Sequence, residues 1–254
     1  MKAWKTHASR IVALLGLSLL ALQLSFALRV GAMAFIDPQS TSFQRSEGWR
    51  LLTQRQRVEW SQQWVPYARI SPHLKRAVIA SEDAGFVEHR GVEWDAVEQA
   101  WQRNERAEAR AEKAQARART PAKAAGGATA VPKVVGGSTI SQQLAKNLFL
   151  SGERTPLRKA QELLITGMLE LLLPKRRILE IYLNNVEWGE GVFGAQAAAR
   201  HYFHKDAANL GAHEAARLAV MLPAPKRFEK LPGSAYVKER AATIVSRMGA
   251  VELP

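Results

Sequence analysis

The sequence predicts a mainly α-helical domain preceded by one transmembrane helix. Three observations carry that expectation. An uncharged, mostly apolar run of 18 residues occupies Ile11–Leu28, behind Lys2, Lys5 and Arg10. From residue 70 onward, apolar residues recur at helical spacing between Pro, Gly and Asn breaks. No segment shows the sustained alternation of a half-buried strand.

A helix rises about 1.5 Å per residue, so about 20 residues cross the hydrocarbon core of a bilayer. The N-terminal run meets that length, Arg29 can snorkel to the interface, and Val30 to Ile36 is apolar again. The positive flank predicts a cytoplasmic N-terminus with the remainder outside. A cleaved signal peptide competes, with Ala32-Met33-Ala34 as its small-residue site. The run exceeds a usual apolar region of roughly 7–15 residues and Arg29 interrupts the approach, which favours a retained anchor over 11–35.

Further elements follow in order. Ser71-Pro72 starts a helix, with Ser as N-cap and Pro in the first turn. Leu74, Ala77, Val78 and Ile79 form its apolar side, and Glu82 falls near its C-terminal end. Gly85 and Gly91 mark an irregular loop. A helical pattern resumes near Trp94 and runs towards Arg119, losing its apolar stripe. Arg103 to Lys123 holds seven Lys/Arg against three Glu, net +4. Residues 105–135 therefore read as a flexible insertion, lacking the apolar surface to offset ordering entropy. A basic tether for anionic headgroups is the sharper alternative.

Thr139 and Gln142 have capping-box spacing, which predicts a helix over Ile140–Leu148. Thr155-Pro156 opens the next helix. Leu163, Leu164, Ile165, Met168, Leu169 and the three leucines at 171–173 make it apolar nearly all round, a pattern expected in the middle of a core. Pro174 breaks it. A short helix over Ile178–Leu183 ends at Asn184-Asn185. Later helices are expected at Ala195–His201, Gly211–Met221 and Ala235–Met248.

The 254 residues carry 36 Lys+Arg and 23 Asp+Glu, net +13, which favours nucleic acid, anionic lipid or a pyrophosphate substrate. Charge alone does not choose among them. The chain has no cysteine, which excludes disulfides, thiolate metal sites and Cys nucleophiles.

Several side chains carry chemistry. Glu82 sits at a helix C-terminus, where the dipole raises a carboxylate pKa and makes a better general base, and Asp83 adds like charge or orients it. The plain reading of an isolated Glu-Asp is a solvated helix end. Glu162 shares a face with Ile165 and Leu169, so its carboxylate is paired, protonated or functional. Arg158, four residues earlier, offers a structural ion pair, and Glu170 poses the same question. Lys146 and Arg154 flank the turn between two helices and can converge on an anion such as pyrophosphate. Ser138 and the amides after Gly136-Gly137 can hold another anionic oxygen, and Gln142 and Gln143 can bond along a sugar. Together these suggest glycosyl transfer.

Two patterns are decoys. Gly189 to Gly194 spells G-x-G-x-x-G, but a helix is expected before it where a dinucleotide site needs a strand. His201 and His204 are three apart without a convincing third metal ligand. His89 reads as a hydrogen-bonded structural residue.

Glu82-Asp83-x-x-Phe86-x-x-His89-x-Gly91 resembles the first motif of the peptidoglycan glycosyltransferases, glycosyltransferase family 51. Gly136 to Gln143, continuing to Leu150, resembles the second. Arg158-Lys159-x-x-Glu162, Lys175 to Asn184, and Gly194 to Phe203 resemble later ones, in family order across residues 70 to 225. One anchor and no following transpeptidase domain make the chain similar to the monofunctional biosynthetic members of Gram-negative bacteria. The Ala/Arg-rich insertion before Gly136 departs from their pattern.

The resemblance implies a lysozyme-like helical glycosyltransferase domain with a membrane-proximal lobe. It divides the chain into a cytoplasmic N-terminus (1–10), an anchor (11–35), a linker and start of the membrane-proximal lobe (36–69), and a catalytic domain (70–254). It implies polymerisation of lipid II into β-1,4-linked glycan, with inversion and release of undecaprenyl pyrophosphate. Glu82 would then be general base, and Glu162 a second carboxylate that assists or organises the pyrophosphate. Lys146 and Arg154 would neutralise the leaving group. Ser138, Gln142 and Gln143 would line the cleft, with Asp83, Phe86 and Lys159 in support. No cofactor is required by the sequence, although Mg or Mn on the pyrophosphate is compatible with it, and no protein metal cage is visible. The partners implied are lipid II, the growing lipid-linked glycan, inner-membrane lipids and other cell-wall synthesis proteins, not nucleic acid. The catalytic domain is expected on the periplasmic side of the inner membrane. Two rivals stand beside this: a lytic enzyme using Glu82 as acid, and a non-catalytic, membrane-tethered basic scaffold.

Overall fold

The computed structural model describes residues 2–55, 59–94, 98, 138–153 and 155–254. The insertion expected at 105–135, Gly136-Gly137 and Arg154 lie outside these residues.

The first helix, α1 (Lys2–Ala32), is continuous. Its segment Ser9–Ala32 has 24 residues, about 36 Å of helix, and is long and apolar enough to cross a membrane. Leu14, Leu17 and Leu20 point away from the fold, as an anchor requires. Its last turns dock on the domain. Val30 and Met33 are buried, Phe26 meets Phe149 edge-on at 5.4 Å, and Gln23 and Gln161 exchange hydrogen bonds of 2.9 and 3.0 Å.

Next come α2 (Ser42–Arg50), opened by a Thr41/Gln44 capping box, and a π-helical turn over Leu51–Arg55. Ser71 caps α3 (Pro72–Glu82) as the sequence predicts, and Leu74, Val78 and Ile79 are its buried side. The Thr139/Gln142 box opens α4 (Ile140–Phe149), and Thr155 caps α5 (Pro156–Leu172). After these follow α6 (Lys175–Asn185), α7 (Ala195–Phe203), α8 (Ala212–Met221), α9 (Pro225–Phe228) and α10 (Ala235–Met248). The helices expected within the described residues are present, with ends moved by a few residues, as fraying termini allow; the helical pattern from Trp94 towards Arg119 lies almost wholly outside those residues. One group packs α3, α8 and α10 together, while α4 lies against α2, α5 and α6.

Three features differ from the sequence reading. The first is α5, which buries only Glu162, Ile165, Thr166 and Leu169. It packs one face on α4 and also lies against α1 instead of being enclosed, and Leu157 and Leu171 are 82% and 83% exposed. Uniform apolarity says that a helix avoids water; it does not say what covers it.

The second is a small sheet of order β1-β3-β2, formed by β1 (Ser61–Gln62), β2 (Glu187–Gly189) and β3 (Val192–Phe193). β1 runs parallel to β3 with Ser61 opposite Val192, and β2 is antiparallel to β3. Strands of two or three residues are too short to show alternation.

The third is the G-x-G-x-x-G segment. A strand, β2, intervenes between α6 and its later glycines, so the helix expected directly before it is corrected to helix then strand. Packing accounts for its middle glycine. Gly191 sits at φ +73°, and a Cβ there would lie 1.9 Å from the Glu59 carbonyl oxygen. The Gly191 carbonyl in turn accepts from the Ser61 N–H at 2.9 Å, which joins β1 to the hairpin.

Gly191→Ala is therefore expected to cost more than about 2 kcal/mol, because the backbone conformation and the steric overlap both oppose a side chain. A thermal melt is expected to fall by roughly 5 °C or more; an unchanged midpoint would refute the packing assignment.

Candidate active site

The first two sequence motifs meet through Asp83. This buried carboxylate accepts from His89 Nε2 at 2.7 Å on one oxygen and from the Ile140 N–H at 2.9 Å on the other. Ile140 is the first residue of α4, so the negative charge sits where unpaired amides and the positive dipole end favour it. The Gly91 N–H donates to His89 Nδ1 at 3.0 Å, which leaves Nε2 as the protonated nitrogen. Thr139 closes the loop by donating its hydroxyl to the Gly91 carbonyl at 2.6 Å. Gly91 has φ +87°, and a Cβ would come 2.7 Å from Thr166 on α5. His89 is thus a hydrogen-bonded structural residue, as the sequence suggests.

That stitching puts the end of α3 beside the first turn of α4. Gln143 Nε2 donates to Glu82 Oε2 at 3.0 Å, and the Tyr182 hydroxyl donates to Gln143 Oε1 at 2.9 Å. Burial pushes the fully buried Tyr182 phenol well above its ordinary pKa, and the charges of Glu82 and Asp83 add to that. The phenol therefore stays a donor, which fixes the Gln143 amide with its NH2 towards Glu82. The partly buried Glu82 carboxyl is also pushed up, chiefly by burial. Hydrogen bonds from Gln143 and Ser81 oppose the rise, and the Asp83 charge adds to it. Desolvation is thus the leading cause, where the sequence pointed to the helix dipole.

Gln143 also borders an open cleft of about 470 Å³, sharing its wall with Lys146 on the next turn of α4 and with Arg158 on α5. Phe43 and Ser46 of α2, the 150–153 loop and Glu187 border the same space. Arg158 Nη1 donates to Glu162 Oε2 at 2.6 Å, and Lys159 also pairs with Glu162. Glu162 is 3% exposed, so it meets the solvent side of the protein through these two cations. Glu170 has structural partners: it accepts from Ser141, and Lys175 pairs with it at 2.8 Å.

The sequence candidates thus separate by position. Gln143 and Lys146 border the cleft, Glu82 joins them through the hydrogen bond from Gln143, and Ser138 is exposed, its carbonyl 3.4 Å from Gln143 Nε2. Gln142, expected to line the cleft, and Asp83 and Phe86, expected in support, are inside the fold. Phe86 is 0% exposed and stands edge-on to His89. Asp83 is occupied by His89 and Ile140. Gln142 turns its side chain back to accept from the Thr139 N–H at 3.1 Å. A side chain enclosed by its own loop supports the site without bordering the cleft. Arg154 lies outside the described residues. Among those residues no group of three or more His, Asp or Glu could hold a metal ion.

Two residues had no role in the sequence analysis. Tyr182 falls within the segment from Lys175 to Asn184 without a role of its own. Glu187 is 7% exposed and borders the cleft. Burial pushes its carboxyl up to about 7, with Lys226 opposing the rise and the Glu47 and Glu229 charges adding to it. Short-range patterning carries no signal for either.

Comparison with known proteins places this geometry. Residues 50–115 and 118–249 match the family described as transglycosylase. A biosynthetic peptidoglycan transglycosylase of Paraburkholderia xenovorans is 49% identical over 252 residues, which cover 99% of this chain and 94% of the relative. One from Burkholderia multivorans is 48% identical, covering 99% of this chain and 92% of the relative. Another, from Burkholderia vietnamiensis, is 50% identical over 92% of this chain and 86% of its own length.

Two outcomes follow from the charges. Gln143→Leu removes a donor to the ionised form of Glu82, so the Glu82 pKa is expected to rise further in an NMR titration of labelled glutamate carboxyls. An unmoved titration would show that Gln143 does not hold Glu82. For Glu187, a folded pKa of about 7, above the ordinary 4.5, means that the folded state keeps a proton the unfolded chain releases. No penalty exists below pH 4.5; it grows up to pH 7 and is complete above it, on the order of 3 kcal/mol. Glu187→Gln is expected to melt higher than the parent at pH 8.5 and together with it at pH 4.

Proposed function

Because this chain belongs to the transglycosylase family, we propose that it is a peptidoglycan glycosyltransferase of bacterial cell-wall biosynthesis that polymerises lipid II into β-1,4-linked glycan. The reading is supported by relatives named as biosynthetic peptidoglycan transglycosylases over nearly the whole chain. The observation that carries it is the Tyr182–Gln143–Glu82 relay at the rim of a cleft that also presents Lys146 and Arg158.

The steps follow from that geometry. A general base works best with a pKa near the operating pH, and desolvation moves Glu82 in that direction. Glu82 takes the proton of the acceptor sugar 4-hydroxyl, and the oxygen attacks the anomeric carbon of the lipid-linked donor from the face opposite its leaving group. Displacement in one step inverts configuration and expels undecaprenyl pyrophosphate. The charge that develops on that leaving group falls to the cations of the cleft, Lys146 and Arg158, with Arg154, expected from the sequence, as the third candidate.

Glu162 acts as a positioning residue in this scheme. Its two ion pairs hold Arg158 and Lys159, which orients the cations that face the cleft and the solvent. Ser138 and Gln143 face the sugars, while Asp83, Phe86 and Gln142 hold the loop and the helix start that carry them. A divalent cation such as Mg or Mn would ride on the substrate pyrophosphate.

The anchor fits a substrate that stays in the bilayer. Val30 of α1 and Met33 just after it are buried against the domain, which supports a cleft held close to the membrane surface. The positive N-terminal flank places residues 1–10 in the cytoplasm and the domain on the outer face of the inner membrane. The net charge of +13 favours anionic headgroups there, and other cell-wall synthesis proteins are the partners to expect beside them.

The test gives purified protein lipid II in one reaction and isolated sacculi in another. Polymer from the first is expected; fragments from the second, without polymer, would establish the lytic alternative. Glu82→Gln is expected to lower polymerisation by at least about 10²-fold, with helical content unchanged and melting no lower, because it removes a desolvated charge. Full turnover by that variant would remove Glu82 from its role.

A further inference from the structure

We propose that Glu187 is a sugar-binding, specificity-determining residue of the cleft, accepting through its carboxylate a hydrogen bond from a hydroxyl or acetamido N–H of the glycan. This rests on the glycosyltransferase reading and adds to it a residue that the catalytic scheme does not use.

Four observations point there. Glu187 is more than nine-tenths buried, and its Oε1 makes only a long ion pair, 3.5 Å to Lys226 Nζ, with no well-formed hydrogen bond. A buried acceptor left unpaired costs about 1–3 kcal/mol, which an apolar side chain of similar volume would avoid. The residue borders the cleft together with Gln143, the side chain that holds Glu82, so a ligand reaching one is near the other. The adjacent cation is committed elsewhere: Lys226 Nζ lies 2.6 Å from Glu47 and 3.5 Å from Glu187.

The surrounding charges select the ligand. Facing Glu187 are Glu47 of α2, itself paired with Arg50, then Lys226 of α9, Glu229 after it and Tyr202 of α7. Three carboxylates around one lysine disfavour an anion, and Lys146 and Arg158 offer anions a better place on the same wall. A neutral hydrogen-bond donor fits, and glycan hydroxyls and acetamido groups are such donors. The ionised carboxylate accepts more strongly than the acid, so sugar affinity is expected to rise as pH passes through about 7.

The probe is a neutral tetramer of N-acetylglucosamine, titrated calorimetrically into the full-length protein in detergent at pH 6 and pH 8, with lipid II polymerisation followed in the same preparations. Glu187→Leu is expected to weaken tetramer binding and raise KM about fivefold or more at pH 8, with kcat kept and melting no lower. Glu187→Gln keeps an acceptor oxygen that does not titrate. It is expected to hold affinity within about twofold of the parent at pH 6 and to lose the gain between pH 6 and 8. A residue that serves packing alone would leave both affinities unmoved in Glu187→Leu. That outcome, or no tetramer binding by the parent protein, overturns the proposal. Tetramer binding that depends on Glu187 in a parent that makes no polymer would instead keep the sugar site and remove the glycosyltransferase reading.

Discussion

The site depends on one carboxylate that it keeps out of reach. Asp83 ties the loop after α3 to the first amide of α4, with one oxygen on His89 and the other on Ile140. Without that bridge nothing covalent holds Glu82 to Gln143, which are 61 residues apart. A charged acceptor at a helix N-terminus is a strong local choice, since it satisfies an orphan donor and complements the dipole. Its neighbours are equally committed. His89, Gly91 and Thr139 close a ring of hydrogen bonds, and Gly91 admits α5 to contact.

Around this bridge the molecule carries charges that a purely structural design would omit. Glu82, Glu187 and Tyr182 are all raised by burial. Lys75 is the reverse case: its ammonium is enclosed near Tyr67, burial lowers its pKa, and it donates to the Tyr67 carbonyl at 3.1 Å. Glu162 is enclosed but paired twice, so its cost is offset locally. Where a buried carboxylate has only a long ion pair with a shared lysine, as Glu187 has with Lys226, a further partner is a candidate ligand.

Much of the architecture was legible because it rests on local signals. Ser71-Pro72, Thr139 with Gln142, and Thr155-Pro156 open helices in the structure as their sequence patterns suggest. The shared face of Glu162, Ile165 and Leu169 is the buried face of α5, and Arg158 is the ion-pair partner that spacing offers. The role of Asn184 was not legible. Its side chain accepts from the Val65 N–H at 2.8 Å and donates to the Val65 carbonyl at 3.0 Å, pinning a segment 119 residues away. The outward leucines of α5 escaped for a related reason, since periodicity measures apolarity and not the medium that meets it.

Sequence alone determined the helical class, the anchor, the helix starts and the set of residue types available for glycosyl transfer. Those follow from interactions spanning a few residues or from composition, which a chain states directly. Tertiary structure decided which candidates border the cleft and which are enclosed behind it, turning Phe86 and Gln142 inward and bringing in Tyr182 and Glu187. It also decided why the Glu82 carboxyl is raised, because desolvation depends on what packs around a group, and those neighbours come from distant parts of the chain.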